Sequence, residues 1–390
     1  MCPEEEFNSR CYALIESGTD AKWVRLADND VTTTLHDSRG PAGVLLEGSQ
    51  TIVGNELLLF GGYFCGNFGQ YETKVHAYNL ETNTWRIMCH MPRIKEEEDE
   101  EGAGARESPF NYIQLEAASC GTLRGTVIMA GGGSMMGGAQ RFVWKLEQGS
   151  WSSLPPLPYA VKNAASFVLN DRYMYVVGGN GDDGSWPNFH SRDVEDHEAG
   201  GPDGSMTSDC PVGWTQMFDI ESEKWTLKSE VPTEIKGRFF DGCLTNHGFV
   251  VVDYNTFYCY KPVTDTWAHL SLLQSALLQS SLGGPVRVAS YDGGMALIGD
   301  GGRVVLLDEN GVVNRLPPIP SLRDIEHAHI VSFPSNLIPL ALAKQLLAKS
   351  AAAEEPETPD AYAQWGGAHM LMRNGHNSMA GFQDQACAQQ

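Results

Sequence analysis

Short apolar runs that stop at a pair of glycines recur along this chain: Leu57-Leu58-Leu59-Phe60-Gly61-Gly62, Val127-Ile128-Met129-Ala130-Gly131-Gly132 and Met174-Tyr175-Val176-Val177-Gly178-Gly179. Each run is long enough for one strand, and each stops where glycine opens backbone angles closed to other residues. Downstream, an aromatic is followed seven residues later by Trp: Tyr78 and Trp85, Trp144 and Trp151, Phe218 and Trp225, and again Tyr260 and Trp267. Between them stand Glu81-Thr82-Asn83, Glu147-Gln148-Gly149, Glu221-Ser222-Glu223 and Val263-Thr264-Asp265, the chemistry of a tight hairpin turn. A fifth copy is degenerate, with Leu306 and Val313 around Glu309-Asn310-Gly311, yet Leu316-Pro317-Pro318-Ile319-Pro320 repeats Leu154-Pro155-Pro156-Leu157-Pro158.

This pattern of Gly pair, aromatic and Trp resembles the kelch repeat over roughly residues 10–342. The resemblance implies about 50 residues per four-stranded blade, hence an all-β, six-bladed β-propeller, with seven blades as the alternative. Inner strands precede the Gly pairs, as at 164–169 and 240–245, so each copy supplies strands a, b, c and d. Trp23 with Leu26 copies the end of a d strand without a Gly-Gly strand before it, whereas 329–333 and 337–342 read as strands a and b without c and d. The expectation is therefore that N-terminal strands c and d (12–26) pair with C-terminal strands a and b (323–342) to complete the sixth blade and remove its exposed edges. Residues 343–390 fall outside the repeat and are read as a partly disordered C-terminal tail.

Lys and Arg total 27 against 49 Asp and Glu, and the six acids of 96–101 supply only a small part of that excess. Such a field repels nucleic acid and anionic membrane, and no Lys/Arg stripe with interleaved aromatics opposes it. No apolar leader or run of about 18 apolar residues is visible, and no Asn-x-Ser/Thr acceptor occurs. Nine scattered cysteines without a CxxC pair point to free thiols in a cytoplasmic or nuclear setting.

In such a propeller the b-to-c and d-to-a connections leave by one face and the a-to-b and c-to-d turns by the other. The c-to-d turns are minimal, while the b-to-c connections include 63–73, 133–140 and the long 180–212. Long connections in a compact domain are often functional. Their aromatics Tyr63, Phe64, Phe68, Tyr71, Trp186 and Phe189 are the candidate binding residues, because such side chains are costly to leave in water and dominate interface energetics. At the starts of the inner strands stand Arg39, Arg106, Lys162, Arg238, Arg287 and Arg323, a candidate cationic ring at the channel mouth for a carboxylate or phosphate; pairing with neighbouring acids is the competing account.

Catalytic motifs are weak. Gly179-Asn180-Gly181-Asp182-Asp183-Gly184 matches GxGxxG, but Ser185-Trp186-Pro187-Asn188 does not open the helix a dinucleotide fold needs. His190, Asp193, Glu195, Asp196, His197 and Glu198 crowd metal-type ligands into one loop, and His327 and His329 share one side of a strand; solvated loop polarity and structural histidines account for both. The two functional classes are thus a non-enzymatic scaffold or substrate adaptor for a protein or peptide, without a cofactor or metal, and a sugar- or organic-anion-binding propeller enzyme or lectin like the galactose oxidases or sugar epimerases. With about ten residues before the first strand, no BTB or F-box domain is expected.

Overall fold

A computed structural model describes residues 9–17, 20–25, 32–35, 45–46, 48–64, 71–92 except 83, 118–133, 138–181, 210–235 except 212, 241–270 except 254–255, 286–319 except 311, and 328–334. The chain begins with β1 (Ser9–Ser17), β2 (Asp20–Arg25), β3 (Thr32–Leu35) and the short β4 (Leu45–Leu46). Five four-stranded antiparallel sheets follow, each from one stretch of chain with its strands in sequence order. The first is β5 (Ser49–Val53), β6 (Glu56–Phe60), β8 (Lys74–Asn79) and β9 (Thr84–His90), while β7 (Tyr63–Phe64) pairs apart with β4. The second is β10 (Ser119–Leu123), β11 (Thr126–Ala130), β12 (Val143–Glu147) and β13 (Ser150–Leu154). The third is β14 (Ala165–Leu169), β15 (Tyr173–Val177), β18 (Trp214–Asp219) and β19 (Lys224–Glu230); between its middle strands β16 (Asn180–Gly181) pairs with β17 (Cys210–Pro211). The fourth is β20 (Asp241–Thr245), β21 (Gly248–Asp253), β22 (Thr256–Lys261) and β23 (Thr266–His269); the fifth is β24 (Val286–Tyr291), β25 (Gly294–Gly299), β26 (Arg303–Leu307) and β27 (Val313–Leu316).

A further sheet joins the two ends, in the order β28 (Ala328–Pro334), β1, β2, β3. This corrects the expected two-and-two division. β1 is a central strand, with Ser9–Ile15 opposite β28 and Tyr12–Ser17 opposite β2, so among the described residues the C-terminal segment contributes one strand and the N-terminal segment three. Trp23 lies opposite Thr33 on the third strand, not on the outermost. The outer strand escaped the sequence reading because Thr32-Thr33-Thr34 carries neither Gly nor aromatic. Residues 335–390, including 337–342 and the tail, lie outside the described residues.

Apolar residues of neighbouring sheets interlock between them. Leu58, Phe60, Val75 and Ala77 of the first sheet form one cluster with Val127, Met129 and Leu146 of the second. Similar clusters join the second sheet to the third, the third to the fourth and the fourth to the fifth. The innermost strands follow one another, β5 against β10, then β14, β20, β24 and β28, as the inner strands of a propeller do. Side chains stitch them: Ser166 Oγ donates to Cys120 O at 3.0 Å and Ser290 Oγ to Leu244 O at 2.8 Å. Each bond satisfies a carbonyl on an edge that would otherwise be open.

The seven-residue aromatic interval is cross-strand pairing in three sheets. Tyr78 lies opposite Trp85, Phe218 opposite Trp225 and Tyr260 opposite Trp267, with ring centroids 5.0, 5.1 and 5.1 Å apart. In the second sheet Gln148 and Gly149 make a two-residue turn with φ 50° and 80°, so Leu146 takes the place opposite Trp151, and Trp144 faces Ser153. In the fifth sheet Leu307, not Leu306, faces Val313.

Candidate interaction face

In each contiguous sheet the b-to-c and d-to-a connections leave at the same end, and there the sheets differ most. Strand b ends at Phe60, Ala130 and Val177 in the first three sheets, and strand c begins only at Lys74, Val143 and Trp214; in the fourth and fifth the gap shrinks to Asp253–Thr256 and Gly299–Arg303. At the opposite end every c-to-d turn is short, closed in part by Asx caps such as Asn79 Oδ1 on the N–H groups of Glu81 and Thr82.

The connections on the elaborated end are tied to one another by backbone pairing. β4, which precedes the first contiguous sheet, pairs with β7 in that sheet's b-to-c connection. Gln140 bridges Val161, and Lys162 on the same connector bridges Asn180 with N···O distances of 2.8 and 2.9 Å. Asn180 and Gly181 then pair with Pro211 and Cys210, which closes the stem of the longest connection. The Gly pairs make this close approach possible. Gly179 is left-handed at φ 85°, and a Cβ there would lie 2.6 Å from Lys162 O; Gly131 is pressed in the same way against Val161 O.

Several polar groups fix this end. Glu72, 5 % exposed, receives His76 Nε2 at 2.8 Å on one oxygen and Lys74 N–H at 2.8 Å on the other. Burial pushes the Glu72 carboxyl up, but the His76 hydrogen bond and charge outweigh it and hold the group below its ordinary range. Gln216, fully buried, accepts the Tyr159 N–H on Oε1 at 2.9 Å and turns Nε2 toward Tyr159 O. The Tyr159 ring, 42 % exposed, lies parallel to Trp214 with centroids 6.2 Å apart. At the start of strand c in the second sheet, Arg141 donates Nε–H to Leu157 O at 2.6 Å while its own carbonyl accepts Leu157 N–H.

Among the sequence-selected binding residues, Tyr71 is 7 % exposed and packs within the fold. Tyr63 and Phe64 form β7. Phe68, Trp186 and Phe189 lie outside the described residues, as do Arg39, Arg106, Arg238 and Arg323 of the suggested cationic ring. Lys162 is half-buried and runs beside Gly133. Arg287 is exposed near Asp241, whose carboxylate accepts the N–H groups of Val288 and Gly242 at 2.9 Å. Burial pushes Asp241 up, and the Arg287 charge with these two bonds opposes it. Arg287 thus has an acid beside it at the head of the neighbouring inner strand.

A family model for the Kelch motif matches residues 51–92, the span of β5 to β9 that completes one four-stranded sheet. The same strand order recurs in the later sheets, and the same aromatic pairing in the third and fourth. Residues 51–92 are a kelch repeat, and the described sheets are blades of a β-propeller. No curated protein matches the chain. Within this propeller, Tyr159, Trp214, Gln216 and Arg141 are features of the elaborated face that the sequence pattern does not mark. The available signal was an aromatic directly after Leu154-Pro155-Pro156-Leu157-Pro158, a run recognised only as a repeat marker. Among the described residues, no three His, Cys, Asp or Glu side chains gather as a metal site would require, and Cys89, Cys120, Cys243 and Cys259 are free thiols.

Proposed function

We propose that this protein is a non-enzymatic interaction scaffold, a substrate adaptor that holds a protein or peptide partner on the face formed by the b-to-c and d-to-a connections. The observation that carries the reading is the asymmetry between the two ends of the sheets. Long connections occur in the first three blades at one end only, and backbone pairing there joins Gln140, Val161, Lys162, Asn180 and Pro211 into one ribbon. A fixed ribbon supports presentation of loops better than independent loops would, since less entropy is lost on binding.

The reading takes the end-to-end sheet as a sixth blade closing the ring and residues 343–390 as a tail. It assigns Tyr63, Phe64, Phe68, Trp186 and Phe189 to the contact surface, with no nucleic-acid or membrane partner. A cytoplasmic or nuclear setting is part of the proposal, supported by the four free thiols. The test is quantitative affinity capture from native extract with the full chain as bait. One variant replaces residues 183–208 by a short Gly-Ser linker and so keeps the β16–β17 stem; another carries Trp186→Ala and Phe189→Ala. The expected result is a partner retained by the full chain and lost by both folded variants. Stoichiometric copper in pure protein, or stabilisation by glycans without any captured partner, would instead establish the rival sugar- or anion-binding reading.

A further inference from the structure

Three Asn-Gly pairs occur in the chain, Asn180-Gly181, Asn310-Gly311 and Asn374-Gly375. The pair matters chemically because glycine has no side chain to shield its amide nitrogen, which can then reach the carboxamide carbon of the preceding Asn. Reaction also needs local freedom of the backbone and water to complete it. The fold supplies both to one described pair and withholds them from the other. Asn374 and Gly375 lie outside the described residues.

Asn180 is 5 % exposed and belongs to β16. Its N–H donates to Lys162 O at 2.9 Å, its carbonyl accepts Lys162 N–H at 2.8 Å, and Asn180 and Gly181 stand opposite Pro211 and Cys210. Leaving this geometry requires the ribbon to open. Asn310, by contrast, is exposed in the turn between β26 and β27. Its N–H donates to Asp308 Oδ1 at 2.9 Å, and among the described residues no hydrogen bond uses its side-chain amide.

We propose that Asn310 is a modification site, converted without an enzyme to a mixture of isoaspartate and aspartate. The Gly311 nitrogen forms a bond to Asn310 Cγ, and the carboxamide NH2 leaves with the Gly311 amide proton as ammonia. Water then opens the resulting succinimide at one of its two carbonyls, adding its hydroxyl to carbon and its proton to nitrogen. Nothing is oxidised or reduced, and water is the co-reactant. The turn lies at the end of the sheets opposite the long connections, so the inference is independent of the scaffold reading.

Either product adds a carboxylate beside Asp308 and Glu309. Isoaspartate also routes the main chain through the former side-chain methylene, which lengthens the path from Asp308 to Val312. That path is closed by Asp308 N–H on Val312 O at 3.1 Å and by Val312 N–H on Asp308 Oδ1 at 2.8 Å. The same turn ties the fifth sheet to the fourth. Glu309 Oε2 accepts a hydrogen bond from Asn246 Nδ2 at 2.7 Å, and Glu309 O accepts one from His247 Nε2 at 2.6 Å. Conversion of Asn310 therefore loosens that seam as the protein ages.

The test is ageing of the folded full chain in warm, mildly alkaline buffer, with tryptic peptides quantified by mass spectrometry and isoaspartate located by fragmentation. Conversion at Asn310 should run at least about tenfold faster than at Asn180, and the two rates should converge in urea, where the flanking structure is gone. Asn310→Gln should abolish conversion at that position, since the longer side chain has to close a larger ring. The aged parent chain should also unfold at lower urea than the fresh one, and aged Asn310→Gln should keep more of its midpoint. An intact Asn310 in the aged folded chain, or Asn180 reacting as fast there, overturns the assignment. Converted Asn310 with an unchanged midpoint overturns the loosening of the seam.

Discussion

Replacing Tyr260 by Phe isolates one hydrogen bond to the Asp265 carboxylate, the group that joins the fourth sheet to the third. Tyr260 is fully buried, and its hydroxyl donates to Asp265 Oδ1 at 2.7 Å; the same oxygen accepts Ser229 N–H at 2.9 Å, and Ser229 Oγ donates to Asp265 O. Asp265 sits at φ 53° in the turn between β22 and β23, and Ser229 belongs to β19, so the carboxylate bridges two blades. The substitution keeps the ring, its contact with Trp267 at 5.1 Å and its contact with Tyr175 at 6.0 Å. Only the hydroxyl is lost. A hydrogen bond to a charged group contributes about 1.5–3 kcal/mol, and because Ser229 still serves the carboxylate, the lower end, about 1.5–2 kcal/mol, is expected.

The loss should depend on pH. Burial raises the Asp265 carboxyl, but the Ser229 and Tyr260 hydrogen bonds outweigh it and keep the group below its ordinary range. A lowered folded-state pKa stabilises above the unfolded value, about 3.9, and that stabilisation fades as pH falls through the folded value. Urea unfolding followed by circular dichroism at pH 7 and near pH 3 is the assay. Tyr260→Phe should lower the midpoint at pH 7 and differ less from the parent chain at pH 3. Equal destabilisation at both values would place the effect in ring packing and refute the reasoning.

Other outcomes follow from the same geometry. Gly179→Ala should cost about 2–5 kcal/mol, from roughly 1–2 for a left-handed residue and about 1–3 for crowding against Lys162 O, read as a lower denaturation midpoint. Burial pushes the Cys120 thiol up to about 12, so at pH 8 it should resist iodoacetamide until the protein unfolds, as peptide mapping would reveal; alkylation in the native state would contradict its placement. Removing 328–334 deprives β1 of a partner along Ser9–Ile15 and should lower the melting temperature sharply, whereas truncation after 343 should not. Trp225→Phe loses the indole bond to Pro155 O at 2.9 Å and should cost about 0.5–1.5 kcal/mol in chemical denaturation.

The repeat was legible because glycine and Trp carry constraints that few other residues can meet. Gly178 and Gly179 must be left-handed where Lys162 crosses, and Trp225 and Trp267 must cover rings on the adjacent strand. Register failed where a turn changed length. Trp144 and Trp151 keep the seven-residue interval, but the two-residue turn at Gln148 and Gly149 shifts the true partner to Leu146. The split of the end-to-end sheet was invisible for another reason: strand order is decided by pairing across the whole chain, which a local pattern such as Trp23 does not encode. The face was legible from connection lengths, its exposed ring was not. Exposure of Tyr159 depends on Gln216, a residue 57 positions away that grips its backbone.

The pairing of β28 with β1 carries a consequence for synthesis. β1, β2 and β3 leave the ribosome first, yet the inner edge of β1 gains its neighbour only when Ala328–Pro334 has emerged. At about 5–20 residues per second, the stretch from Leu35 to Ala328 takes roughly 15–60 s to translate. Throughout that interval the nascent chain carries a seven-residue strand edge, Ser9–Ile15, with open donors and acceptors. Its completion waits until Ala328–Pro334 has been made, which makes termination before that strand a route to a sticky product instead of a smaller propeller.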